Sequence, residues 1–235
     1  MTARKRPIGI IGSMDPEIEH YLKRSELISE KKWNDFTFYE ALLDGKETVI
    51  VKSWPGKVFA AMVCEKLIDE YHPRAMICTG VAGALNLTLD IGDVVLSADC
   101  MQHDVDVQAL GYMRGALPYT EYRIFKADEK LLSLAGKTRL KGKKIIEGRI
   151  LTGDQFITSR EMNDHKYLIE EMEGDAIEME GGSIAQVCTL NKLPFLIVRT
   201  VSDKADGGAV EDFNKFLPVV AKNSYNVVKN ILSGL

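Results

Sequence analysis

With 235 residues, 46% hydrophobic and 27% charged, the chain is large enough to bury roughly 70–75% of its unfolded surface, and one domain over residues 1–235 is expected. A net charge of −4 gives no general attraction to nucleic acid or to an anionic membrane, and no segment approaches the ~20 apolar residues of a membrane span. Cys64, Cys78, Cys100 and Cys188 are far apart, without the close spacing of a zinc or redox motif. They read as buried free thiols of a reducing compartment. The apolar run Ile8 to Ile11 is interrupted by Gly9 and is too short for an export signal, so a cytoplasmic location is expected.

In chain order, Pro7 to Ile11 reads as a buried strand, followed by Gly12-Ser13-Met14 and a helix opening at Asp15-Pro16. Asp is a good N-cap and Pro a good first helical residue. Glu17 falls in the first turn of that helix, where it complements the helix dipole, and also just beyond a strand end. Phe36 to Leu43 and Glu47 to Lys52 read as strands joined through Asp44-Gly45 as a hairpin. The turn Ser53-Trp54-Pro55-Gly56 leads to a helix over Lys57 to Tyr71, with Val58, Ala61, Met62, Cys64, Leu67 and Ile68 at helical spacing towards the core.

Arg74 to Cys78 reads as a buried strand ending in a Gly-rich turn, Thr79 to Leu85. That turn lacks both the dinucleotide fingerprint and the closing lysine of a P-loop. Its glycines suit close approach to an uncharged ligand or a packing surface. A strand at Asp93 to Ala98 precedes a stretch with few helical signals, Gln102 to Thr120. There His103-Asp104 reads as a structural pair, since neither a further metal-ligand set nor a nucleophile motif accompanies it. A helix over Lys126 to Leu140, a strand over Lys144 to Thr152, a helix over Glu161 to Glu173 and a strand over Pro194 to Thr200 follow. The last helix, Glu211 to Ile231, carries Phe213, Phe216, Leu217 and Val220 on one face, with a bend expected at Pro218.

The stretch Asp175 to Cys188, DAIEMEGGSIAQVC, puts two carboxylates and a glycine pair where a strand gives way to a helix. Glu178 and Glu180, two apart, point to one side of an extended backbone. The pattern suits either a polar small-molecule site or an ordinary helix start with Glu in its first turn. Alternating strands and helices imply an α/β fold, a three-layer αβα sandwich around a mixed, largely parallel sheet. Ligands collect at strand carboxyl ends in such folds. Glu17, Gly80 to Gly83, Phe156, Glu180 and Asp203 all follow predicted strands and can share one pocket.

In order, the chain carries I-G-I-I-G-S-M with Glu17 downstream, G-K-V at 56–58, T-G-V-A-G-A at 79–84, H-D-V-D-V at 103–107, T-G-D-Q-F-I at 152–157, E-M-E-G at 178–181 and V-R-T-V-S-D at 198–203. In this order they resemble the 5′-methylthioadenosine/S-adenosylhomocysteine nucleosidases of the nucleoside phosphorylase superfamily, from Ile8 to the last helix. The resemblance implies hydrolysis of the bond between adenine N9 and ribose C1′ through an oxocarbenium-like transition state. It makes Asp203 the general acid at purine N7 and Glu17 the base that directs water. Glu180 would hold the ribose hydroxyls, Met179 would pack on the sugar, and Glu178 would support them through its backbone more than its charge. Phe156 would stack on adenine, the main chain of Ile157 would read its amino edge, and Arg199 would lie near Glu17 and the water. Met14, Val81, Ala82, Gly83, Ser202 and Phe213 are the further substrate contacts implied. No metal and no cofactor is implied, and the expected partner is a nucleoside.

The resemblance also implies a homodimer whose loop around Tyr112 to Pro118 reaches the neighbour's 5′ pocket. Two departures fall on that pocket: Trp54-Pro55 replaces a glycine and a branched aliphatic residue, and Leu110 stands at a commonly aromatic position. They leave the preferred 5′ substituent open among methylthioadenosine, S-adenosylhomocysteine, 5′-deoxyadenosine and aminodeoxyfutalosine. The competing readings are a nucleoside phosphorylase and a non-catalytic nucleoside-binding protein. Against the first, Ile77-Cys78 stands where related hexameric phosphorylases place an arginine, and an acid at Glu17 repels phosphate. Intact Glu17, Glu180 and Asp203 oppose the second.

Overall fold

A computed structural model describes residues 6–158, 164–204 and 209–235, and side chains throughout these except at 209–212, 214 and 218–220. The buried apolar run Ile8–Gly12 (β1) lies beside Lys46–Lys52 (β4) and Ala75–Ala84 (β5), parallel to both. Its neighbours to one side are the antiparallel strands Phe36–Leu43 (β3) and Ser25–Trp33 (β2), which continue the sheet from β4. On the other side β5 pairs in parallel with Phe195–Asp203 (β10), which pairs antiparallel with Val94–Gln102 (β6). Parallel pairing carries β6 to Ile145–Thr152 (β8) and β8 to Ala176–Glu178 (β9), and β9 returns antiparallel to β5. Strands β5, β10, β6, β8 and β9 therefore close on themselves, so the expected mixed sheet is closed at one end and open at the other. The short strand Phe125–Lys126 (β7) adds to β6.

Strand alternation sends successive side chains of each strand to different cores. Ile11, Val49, Val51 and Met76 pack with Val63, Cys64 and Leu67 of Lys57–Tyr71 (α2) and with Ile184, Ala185 and Cys188 of Gly181–Leu190 (α5, reached through the short helix Tyr167–Glu170, α4). Ile8, Ile10, Ile50 and Ile77 face the opposite way, onto Asp15–Leu22 (α1), Glu129–Gly136 (α3) and Val227, Val228 and Ile231 of Ala209–Gly234 (α6). Helices thus cover both faces. No helix among the described residues is long and apolar enough to cross a membrane.

Several elements differ from expectation. The glycine-rich stretch after Cys78 is a continuation of β5, straight through to Ala84 and buried along its whole length. Strand β2 carries no hydrophobic alternation because most of it is exposed on both faces and it is fixed by pairing with β3. On α2 the buried stripe is Ala60, Val63, Cys64 and Leu67, while Val58 and Met62 are exposed. The helix expected over Lys126 to Leu140 is only α3, because β7 takes its start and Asp128 caps it by accepting from the Leu131 N–H at 2.9 Å. Residues 161–163 of the expected Glu161 to Glu173 helix lie outside the described residues. Helix α6 runs unbroken through Pro218. The Val220 side chain is outside those described.

Leu67 is fully buried where α2 crosses β1, close against Gly9. Leu67→Ala is expected to cost about 2–5 kcal/mol by the cavity it leaves. Chemical denaturation monitored by far-UV dichroism measures this, and a cost under about 1 kcal/mol would mean that α2 is not packed on β1 as described.

Candidate active site

The carboxyl ends of β1, β5, β8, β9 and β10 converge on one cleft, the place where ligands collect in α/β folds. Met14, Glu17, Pro55, Val81 and Gly83 line it on one side. Glu178, Met179, Glu180, Ser202 and Asp203 line it from β9 and β10, and Phe156, Ile157 and Phe213 stand at its mouth. The Phe156 and Phe213 rings meet edge to face, 5.5 Å apart, with Phe156 partly open to solvent. Such an apolar, flat-ringed mouth suits a flat heterocycle.

Glu17 is buried, and its carboxylate is held by four donors. Oε2 accepts from Ser13 N–H at 2.7 Å, Ser13 Oγ at 2.8 Å and Met14 N–H at 3.0 Å, and Oε1 accepts from Val81 N–H at 3.0 Å. The proline-led start of α1 places Glu17 at the third helical position, reaching back over the end of β1. Gly80 makes this arrangement possible. A Cβ there would run into the Arg199 guanidinium and lie 2.5 Å from Glu17 Oε1.

Arg199 and Glu178 lie at the centre of the β9–β10 side. Arg199 is 1% exposed, and its Nη2 donates to Glu178 Oε2 and, at 3.2 Å, to Glu180 Oε2. Glu178 also takes the Thr152 hydroxyl, the Glu180 N–H at 3.1 Å and the Gly181 N–H at 2.7 Å. This corrects the expectation that Glu178 acts through its backbone: its charge binds Arg199 and closes the turn into α5. Glu180 Oε1 accepts from Gly56 N–H at 2.9 Å, at the start of α2. Burial pushes the Glu180 carboxyl up to about 8, against the opposing pull of Arg199, with Glu178 and Glu17 adding to the rise. Asp203 is buried on the other flank and accepts from the Ser202 hydroxyl at 2.9 Å. A register shift between Val201 and Asp203 skips Ser202, while Asp203 stays paired with Gly83 of β5.

Not every predicted residue reaches the cleft. Ala82 is buried within β5, its carbonyl accepting from Ser202 Oγ at 3.4 Å. Arg199 lies behind the lining and acts through the carboxylates. Leu110 lies exposed on a single 3₁₀ turn and Tyr112 packs on Tyr119, neither of them in the cleft of its own chain. Trp54 has φ +68° and turns its ring away, over Lys52 Nζ at 4.8 Å, so only Pro55 of that pair lines the cleft. The His103-Asp104 pairing is also corrected: Asp104 binds Lys57 Nζ at 2.6 Å, whereas His103 Nδ1 lies 3.3 Å from the Tyr167 hydroxyl. Burial lowers the His103 imidazole to about 4.

Ser13, Thr152, Gln155 and Ile177 belong to the site or its support and were not singled out in the sequence. Ser13 was findable, as a hydroxyl between a strand end and a first-turn Glu. Thr152 in a strand reads only as β propensity. Among the described residues, no group of His, Cys, Asp and Glu is arranged to hold a metal.

The model of the phosphorylase superfamily matches residues 7–233. The 5′-methylthioadenosine/S-adenosylhomocysteine nucleosidase of Actinobacillus succinogenes is 37% identical over 234 residues, 97% of this chain and 99% of that protein. The chain belongs to the phosphorylase superfamily, among its methylthioadenosine/S-adenosylhomocysteine nucleosidases. The crystal structure of this nucleosidase from Neisseria meningitidis, in complex with methylthio-immucillin-A, matches with TM-score 0.92 and 36% identity over 98% of this chain and all of that one. The futalosine hydrolase of Helicobacter pylori matches with TM-score 0.91 and 30% identity, over 98% of each chain.

The raised Glu180 carboxyl makes stability depend on pH. Its folded-state value lies above the ordinary 4.5, so the unfolded chain loses its proton first and stability falls as pH rises from about 4.5 to about 8. Glu180→Gln removes that loss. Thermal midpoints at pH 5, 7 and 9 should show the mutant gaining on the wild type as pH rises, and parallel curves would contradict a buried, proton-holding Glu180.

Proposed function

We propose that the chain hydrolyses the N-glycosidic bond of 5′-methylthioadenosine and related 5′-substituted adenosines, S-adenosylhomocysteine among them, releasing adenine and a 5′-substituted ribose. The observation that carries this reading is the gathering of Glu17, Glu180 and Asp203 in one cleft with Phe156 at its mouth. Phe156 and Phe213 hold the purine, and Met179 packs on the ribose. Glu180, fixed by Gly56 N–H and Arg199, binds the ribose hydroxyls. Asp203, oriented by Ser202, shares its proton with N7, so that adenine leaves as a neutral base.

As the C1′–N9 bond lengthens, positive charge develops on the ribosyl ring. Glu17 and Glu178 flank one buried guanidinium, and the surplus of negative charge stabilises such a cation where water is excluded. Glu17 takes a proton from the water that attacks C1′. Arg199 Nη1 lies behind Glu17, beside Gly80. The same charge excess disfavours phosphate as the nucleophile, and Cys78 stands in β5 where an anion-binding arginine would be needed.

The same proposal includes a homodimer, supported by the exposed apolar side chains Val58, Phe59 and Met62 on α2 and Leu110, Met113 and Tyr119 in the loop after β6. It also places the protein in the cytoplasm, in keeping with four buried, unpaired cysteines, and gives the whole chain one domain.

Adenine release from methylthioadenosine, followed in phosphate-free buffer and again with added phosphate, is expected at equal rates. Phosphate-dependent release would mean phosphorolysis. Glu17→Gln and Asp203→Asn are each expected to lower kcat by about 10²-fold or more in a folded protein, and near-wild-type turnover in either would remove that residue from the mechanism.

A further inference from the structure

Three of the segments that stood out in the sequence, Gly56 to Val58, His103 to Val107 and Thr152 to Ile157, have no chemical part in the reaction beyond Phe156 and Ile157. The structure ties them to one another. Lys57 N–H donates to Asp154 Oδ1 at 2.8 Å, Lys57 Nζ donates to Asp104 Oδ1 at 2.6 Å, and Asp154 N–H donates to Asp104 Oδ2 at 3.1 Å. The three hydrogen bonds form a closed ring. Lys57 and Asp104 side chains are only 18% and 22% exposed, so solvent screens their pairing less than it would on an open surface.

The ring sits between two parts of the substrate cleft. The preceding N–H, that of Gly56, donates to Glu180 Oε1. The N-terminal amides of α2, which have no acceptor inside the helix, are thus divided between the ribose acid on one side and Asp154 on the other. Directly after Asp154 come Gln155, Phe156 and Ile157, all lining the cleft. Gly56 has φ +102°, and a Cβ there would meet Asp154 Oδ1 at 3.3 Å, so the close approach of the two segments depends on glycine.

We propose that Lys57, Asp104 and Asp154 are positioning residues that set the spacing between the purine-holding segment 155–157 and the ribose acid Glu180, an inference that rests on the nucleosidase reading above. Segment 155–157 is anchored on one side by the end of β8, and the ring anchors it to α2 as well. With the ring broken, substrate binding has to order that segment itself. The cost falls on binding, which an organised site avoids, and therefore on KM more than on kcat. None of the three residues touches the reacting atoms.

The test compares the wild type with Lys57→Met, Asp104→Asn, the double variant and Lys57→Arg, measuring KM and kcat for methylthioadenosine, adenine affinity by calorimetry, and Tm. Lys57→Met and Asp104→Asn are each expected to raise KM and weaken adenine binding about tenfold, with kcat within about threefold. The double variant should be little worse than either single one, since both break the same ring, and Lys57→Arg should recover most of the loss. Unchanged KM and adenine affinity in either folded single variant would overturn the proposal, as would a fall in kcat and kcat/KM in equal proportion. Asp104→Asn preserves side-chain volume and carries the test if Lys57→Met does not fold. A wild type that binds adenine but does not release it from methylthioadenosine would overturn the nucleosidase reading alone, and the adenine affinities of the variants would still decide the ring.

Discussion

One buried guanidinium organises the site. Arg199 enters from the middle of β10, fully enclosed, and meets Glu178 and Glu180 where β9 turns into α5. Removing such a charge from water is costly unless it is paired and hydrogen-bonded, and the pairing here requires several other features. Gly80 must lack a side chain so that the guanidinium can lie against β5. Glu178 must face inward, which draws the N–H groups of Glu180 and Gly181 onto its carboxylate and fixes the start of α5. Glu180 then projects into the cleft with one oxygen on Arg199 and the other on the Gly56 N–H at the start of α2.

This arrangement explains why the site carries more negative charge than its single cation balances. Glu17 is held without a cation in direct contact, by four N–H and O–H donors at the end of β1 and from β5. Glu180 has fewer such donors, and burial raises its proton affinity.

Much of this was legible in the sequence. Strands such as β1 and β10 are short apolar runs followed by a polar residue and a helix signal, and that pattern placed Glu17 and Asp203 at strand ends. The spacing of Glu178 and Glu180 showed that they share a side. The sequence did not show what the side chains would meet. A lone arginine in an apolar strand carries no sign of its partners, and Glu178 could be read as a backbone support because its acceptor role depends on Arg199, 21 residues away. The glycines at 80 and 83 looked like a turn because glycine usually marks one. Here both lie within β5, and Gly80 is small so that the strand can pass a guanidinium and a carboxylate. Edge strand β2 went unread because two exposed faces leave no alternation to detect.

The central claim is that Arg199 and Glu178 hold the site as one coupled unit, and equilibrium denaturation of Arg199→Met, Glu178→Gln and the double variant tests it most directly. Removing Arg199 alone leaves buried carboxylates unpaired, so Arg199→Met should lose about 3–5 kcal/mol. Adding Glu178→Gln should restore part of that loss, a coupling of more than about 1 kcal/mol. If Arg199→Met costs less than about 1 kcal/mol, or if the two substitutions simply add, the buried pair does not organise the site.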